Sequence, residues 1–149
     1  MSLPSAALCD DRLALIATSY HRLTGKHLLE QAQFTADAMW HAPRIIVAHG
    51  IEADPIFFYG NRLALQLFEM SFEEFSRLPS RFSAEPLERQ ARAALLASVA
   101  ANGFIEDYSG VRIAKSGRRF VIERATVWNL LDEAGICHGQ AATFEVPLA

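Results

Sequence analysis

Arg118-Arg119-Phe120-Val121-Ile122-Glu123-Arg124-Ala125-Thr126-Val127-Trp128-Asn129-Leu130-Leu131 is the stretch that decides the fold. It is rich in β-branched and aromatic residues and holds no glycine or proline, so it reads as one long strand. Lys115-Ser116-Gly117 before it and Asp132-Glu133-Ala134-Gly135 after it read as hairpin turns. They join it to a strand over 104–114, bent near Ser109-Gly110, and to a final strand over 136–146. Three strands joined this way form an antiparallel meander. Strict alternation puts Phe120, Ile122, Thr126, Trp128 and Leu130 on one face, with Arg124 in their midst. Val121, Ala125, Val127 and Leu131 fall on the other. Both faces are largely apolar, so both are expected to be covered.

Working towards the N-terminus, the longest helix is expected over 85–101. Pro86 suits its first turn and Asn102-Gly103 its end. Its buried stripe is assigned to Leu87, Ala91, Ala94, Leu95, Ser98 and Val99. Glu85/Arg89 and Glu88/Arg92 are read as i,i+4 pairs on its wet side. The segment Pro79-Ser80-Arg81-Phe82-Ser83 is irregular. Ser71-Phe72-Glu73-Glu74 is a capping box that starts a short helix. Asn61 caps another over 62–68. Ile45-Ile46-Val47-Ala48, ended by His49-Gly50, and Ile56-Phe57-Phe58-Tyr59 are two strands joined by the turn at Asp54-Pro55. Leu13, Ile16, Ala17, Tyr20 and Leu23 make the apolar face of a first helix that begins after the acidic Cys9-Asp10-Asp11 and stops at Thr24-Gly25. A second helix is expected from about Leu28 to Met39. The order gives an α+β fold: a five-stranded antiparallel sheet with helices on one face. Residues 1–43 form an N-terminal helical extension, packed on the core or in a dimer interface. Residues 44–149 form the main domain.

The chain has 149 residues, 51% apolar and 21% charged, which fits one globular domain. It contains no apolar run long enough to span a membrane and no basic region followed by an apolar core, so a cytoplasmic address is expected. Two cysteines, Cys9 and Cys137, are too few for a disulfide framework. The net charge of −3 argues against nucleic-acid binding through bulk electrostatics, although arginine outnumbers lysine twelve to two.

The order of elements resembles that of a PAS domain, and the wording is closer to the MEKHLA domain, a PAS-like module. That module is found alone in bacteria and at the C-terminus of plant class III homeodomain–leucine-zipper regulators. The resemblance rests first on Asp54-Pro55-Ile56-Phe57-Phe58-Tyr59-Gly60-Asn61-Arg62-Leu63-Ala64-Leu65-Gln66-Leu67-Phe68-Glu69. Next comes Pro79-Ser80-Arg81-Phe82-Ser83-Ala84-Glu85-Pro86. Gly110-Val111-Arg112-Ile113, Gly117-Arg118-Arg119-Phe120 and Trp128-Asn129-Leu130 follow, and Gly139-Gln140-Ala141-Ala142-Thr143-Phe144 closes it. It covers roughly residues 20–146. The six-letter string that names the family, a mark of the plant branch, is absent. These residues hold no homeodomain or zipper, so the resemblance does not imply DNA binding. It implies a PAS-like fold and a module that senses a small ligand or carries protein contacts. It names no reaction, cofactor or ligand.

The residues weigh against several chemistries. Light-sensing PAS domains hold a reactive cysteine in an Asn-Cys-Arg-Phe motif. The similar segment here, Ser80-Arg81-Phe82, has serine, which lacks the thiol such an adduct needs. Haem-binding PAS domains ligate iron through a histidine on the long helix, and 85–101 has none. His21, His27, His41, His49 and His138 form no metal-ligand spacing, so no metal is expected. His49 reads as a strand-end turn residue and Cys137 as a small buried one. There is no nucleophile elbow or phosphate loop, so no catalytic residues are assigned.

Candidate ligand-binding residues are Arg81, Ser83, Tyr59, Phe68, Arg124, Trp128, Asn129 and Gln140. Arg81 and Ser83 lie in the irregular segment, where an arginine would draw a carboxylate. Their plainer roles are a bridge to Glu85 or Asp107 and a helix cap. Arg124 needs a partner if buried, either Glu106 or Glu123, or a ligand anion. Asn129 and Gln140 lie on neighbouring strands and can bond to a ligand or to each other. Trp128 is a ring to stack on a ligand or to fill the core. Tyr59 and Phe68, with Phe57, Phe72, Phe75 and Phe82, either line a cavity or fill it. Three functions remain open. One is a cytoplasmic sensor for a small, partly apolar and anionic molecule, signalling through a protein partner or by self-association through Leu13, Ile16, Ala17 and Tyr20. Another is an interaction domain with a filled core. The third is a small acid–base enzyme using Asp107 or Glu106.

Overall fold

The computed structural model describes residues 2–8, 10–30 and 34–147. Short helix α1 (Ser5–Leu8) precedes α2 (Arg12–Thr24), which ends at left-handed Gly25. α3 (Ala36–Trp40) follows, capped by the Thr35 side chain. The expected helix over 28–39 is therefore much shorter. Leu28–Glu30 is bend rather than helix, and residues 31–33 lie outside the described residues. So does Cys9. Asp10 receives the Arg12 N–H and pairs with its guanidinium at 2.7 Å, while Asp11 makes no side-chain cap.

The strands are β1 (Ile45–His49), β2 (Phe57–Gly60), β3 (Phe104–Ile113), β4 (Arg119–Leu131) and β5 (Cys137–Phe144). They form one antiparallel sheet in the order β2-β1-β5-β4-β3. Between β2 and β3 run α4 (Arg62–Phe68), α5 (Phe72–Phe75), a 3-10 turn (Ser80–Ser83) and α6 (Pro86–Asn102). These elements cover the inner face, as the α+β reading requires. α2 packs on the outer face.

Two caps act as the sequence dictates. The Ser71–Glu74 capping box is complete. Asn61 does more than cap: its Oδ1 accepts from Ala64 N and Ile46 N, each at 3.2 Å, and its Nδ2 donates to Arg44 O at 2.8 Å. One fully buried amide thus fixes α4 to β1 at no cost in unsatisfied polar groups.

The face assignment of the long strand holds for only half its length. Tyr108 faces Ala125, whereas Gly110 faces Ile122, so β3 advances two residues while β4 advances three. The extra residue sits at Glu123–Arg124, and Arg124 adopts φ +54°. A bulge of this kind swaps the faces of everything beyond it. Ile122 and Val127 both line the inner cavity, and Val121 and Thr126 border the outer groove. Asp107 (φ +63°) marks a compensating bulge on β3.

Trp128 consequently points outward. Its indole N–H donates to Ile16 O at 3.1 Å, and its ring meets Tyr20 edge-on at 4.8 Å. Ser19 Oγ accepts from Leu131 N at 2.8 Å. Leu13, Ile16 and Tyr20 are buried by these contacts within the chain.

Candidate functional site

α6 crosses the inner face of the sheet with Leu95, Leu96 and Val99 turned inward. Ala91, Ala94 and Ser98, expected in its buried stripe, face solvent. The i, i+3, i+4, i+7 row through Leu95, Leu96 and Val99 begins at Arg92, and that arginine is 8% exposed. The expected Glu88/Arg92 pair on the wet side is absent among the described residues. So is Glu85/Arg89: Glu85 pairs with Arg119, and Arg89 donates to Ala84 O.

Beneath α6 lies a cavity of ≈ 60 Å³. Leu95 and Leu96 form its helical wall. Val47, Ala142 and Phe144 are part of its sheet wall, and Phe68 of α4 also lines it. The polar groups reaching it are Arg92, Arg112, Tyr108, His49, Gln140 and Ser83. No aspartate or glutamate is among the described residues lining it.

The two arginines differ in their contacts. Arg112, 7% exposed, donates to Val111 O at 2.8 Å and to the Tyr108 hydroxyl at 3.0 Å, with its guanidinium 5.6 Å from the Tyr108 ring centre. Arg92 makes no hydrogen bond or ion pair among the described residues. Burial, and secondarily the positive field of Arg112, pull its pKa down to about 10, partly offset by Tyr108. It therefore stays charged at neutral pH. None of its nitrogens is among the fully buried, unpartnered atoms, so the guanidinium is reached by solvent although most of the side chain is covered.

His49 adds a second orphan. Its Nδ1 lies 3.0 Å from Gly50 O, which can only accept, so Nδ1 carries the hydrogen. Burial holds its pKa below the ordinary histidine value. The ring is thus neutral, and buried Nε2 is a lone pair with no donor. Glycine at 139 makes this geometry possible. At φ +146°, a Cβ there would lie 2.0 Å from His49 O.

Three of the sequence-predicted residues, Ser83, Phe68 and Gln140, line the cavity. Ser83 donates to Ser80 O at 2.7 Å rather than capping α6. Asn129 lies behind Gln140 and bonds to it. Arg81 is exposed, pairs with Asp54 at 3.0 Å instead of Glu85 or Asp107, and stacks on Phe82. Tyr59 is fully buried in the aromatic core, away from the cavity, with an unpartnered hydroxyl. Trp128 and Arg124 are on the outer side. Arg124 is exposed and forms no pair with Glu106 or Glu123; Glu106 holds Lys26 at 2.9 Å. Glu106 and Asp107 border the outer groove, remote from cavity chemistry. Cys137 is exposed, correcting its expected burial. Arg92, Arg112 and His49 escaped the sequence reading. The helical row through Leu95 and Val99 was the signal that would have placed Arg92 inside.

A five-stranded 2-1-5-4-3 antiparallel sheet with short helices across one face and a cavity beneath them defines a PAS-like fold. Solved structures agree. The PAS domain of a protein from Colwellia psychrerythraea superimposes with a TM-score of 0.63 at 16% identity, covering 74% of this chain and 92% of that one. A light-oxygen-voltage domain studied with a flavin analogue gives 0.60 at 18% identity, covering 76% and 84%. A fungal light-oxygen-voltage photoreceptor domain gives 0.57 at 17% identity, covering 85% and 87%. The chain belongs to the MEKHLA domain family, whose model matches residues 10–146. It is also 26% identical over 134 residues to the homeobox-leucine zipper protein HOX10 of Oryza sativa, in both the indica and japonica subspecies. That match covers 87% of this chain but spans only 16% of the rice protein's length.

Proposed function

We propose that the chain is a cytoplasmic sensory module that holds a small, partly apolar molecule under α6 and passes its state to a protein partner or a second copy. The observation that carries this reading is Arg92, an 8% exposed arginine on the wall of a largely apolar cavity, with no counter-ion among the described residues. A charge so placed is suited to an anionic group from outside the chain. Membership of a PAS-like family supports the sensory role. No helix among the described residues is long and apolar enough to cross a membrane.

One observation favours the filled-core interaction domain instead. The cavity is far below the ~300 Å³ at the low end of ordinary ligand sites. Native mass spectrometry of protein purified from cells separates the two readings. A discrete adduct, released on denaturation, supports the sensor. Repeated recovery of the bare chain mass, with no small molecule able to raise the melting temperature, supports the filled core.

A further inference from the structure

The cavity's chemistry narrows what it can take. Its charge is entirely positive: Arg92 and Arg112 reach it, neutral His49 adds no charge, and no described lining residue is acidic. Arg112 is held by Val111 O and Tyr108. Arg92 has no hydrogen-bond or ion-pair partner among the described residues, so its guanidinium fork, whose parallel N–H pair matches the two oxygens of a carboxylate, is unengaged. A carboxylate carrying an apolar body suits this setting better than a free phosphate or sulfate, since most of the remaining wall is Leu, Val, Ala and Phe. The small volume admits only a short apolar body.

We propose that the cavity binds a small monocarboxylic acid, its carboxylate on Arg92 beside Arg112 and its alkyl or aryl part against Leu95, Leu96 and Phe68. This rests on reading the cavity as a ligand site. It explains why Arg92 stands without a partner on an otherwise apolar row: the ligand is the counter-ion.

The test uses the full chain, unfolded and refolded to strip anything carried through purification. Sodium butyrate, pentanoate and benzoate are titrated calorimetrically beside butanamide, pentanamide and benzamide, which match them in shape without the charge. Sodium phosphate and sulfate are run in parallel. The acids are expected to bind at least about tenfold more tightly than their amides, because a charge-assisted pair is roughly twice as strong as a neutral one. Arg92→Met is expected to weaken the acids at least about tenfold, to weaken the amides by a clearly smaller factor, and to raise the melting temperature of the empty protein. A merely structural arginine would instead lower that temperature.

Amides binding as well as acids, or phosphate or sulfate binding better, overturns the carboxylate assignment and leaves the ligand site standing. Unchanged acid binding in Arg92→Met does the same. No saturable binding from any acid or amide overturns the carboxylate assignment, and the same silence from phosphate and sulfate together with a bare chain mass in native mass spectrometry overturns both readings. The acid–amide comparison needs only the unaltered chain, so it decides even where the variant fails to fold.

Discussion

Gln140 Nε2 donates to Asn129 Oδ1 at 3.1 Å, joining β5 to β4 directly beneath α6. The pair is also the helix's anchor. Asn129 Nδ2 donates to Val99 O at 3.1 Å, and Gln140 Nε2 to Leu96 O at 3.0 Å. The helix row that carries Arg92 is therefore held at a fixed height above the sheet by two buried amides.

Replacing Asn129 with leucine removes that anchor and leaves a Gln140 hydrogen without its acceptor. The expected loss is about 2–4 kcal/mol of unfolding free energy, from the lost bonds and the stranded polar group. Urea denaturation measures it. Hydrogen exchange should show faster opening of α6 than of the sheet. A loss under about 0.5 kcal/mol would mean the helix is held by its apolar contacts alone.

This pair was legible because an Asn and a Gln standing among apolar strand residues must find partners, and adjacent strands offer them. The meander, the first hairpin and the caps at Asn61 and Ser71 were legible for the same reason: local chemistry demands them. The faces of β4 were not, because period-2 reasoning assumes an unbroken pleat and nothing at Glu123-Arg124 announces an inserted residue. Arg92 was hidden by a different assumption. A glutamate four residues before an arginine looks like a surface pair, and many alanines let several helix faces look equally buriable. Only packing against the sheet selects the face, and it selected the one holding a charge.

His49 predicts a pH dependence. Its folded-state pKa lies below the ordinary value near 6.5 because burial disfavours the cation. As pH falls below about 6.5, the unfolded chain takes up this proton while the folded chain does not, so stability falls. The loss continues down to the lowered folded-state value. His49→Gln should remove that part of the slope. Urea midpoints between pH 7.5 and 5.5 test this, a window above the ordinary titration range of carboxylates. Parallel pH profiles for the two proteins would show that His49 is not the group responsible.

The bulge at Arg124 makes the sharpest demand on the fold. Arg124 is exposed, forms no ion pair among the described residues and holds φ +54°, a left-handed backbone that glycine adopts more cheaply. Arg124→Gly should therefore keep the fold and gain about 0.5–1 kcal/mol, since the relief of roughly 1–2 kcal/mol of backbone strain exceeds the entropy a glycine adds to the unfolded chain. Deleting Arg124 should do the opposite. Without the inserted residue, β4 returns to strict alternation, and either its first or its second half must present the wrong face. In the second case Trp128 would turn toward α6 and Asn129 toward α2, stranding an indole N–H and a buried amide at once. The deletion is expected to abolish cooperative unfolding and near-ultraviolet circular dichroism. A deletion variant that kept both, with the stability of the parent, would mean the register shift is incidental, and that the placement of Arg92, Gln140 and Trp128 does not depend on it.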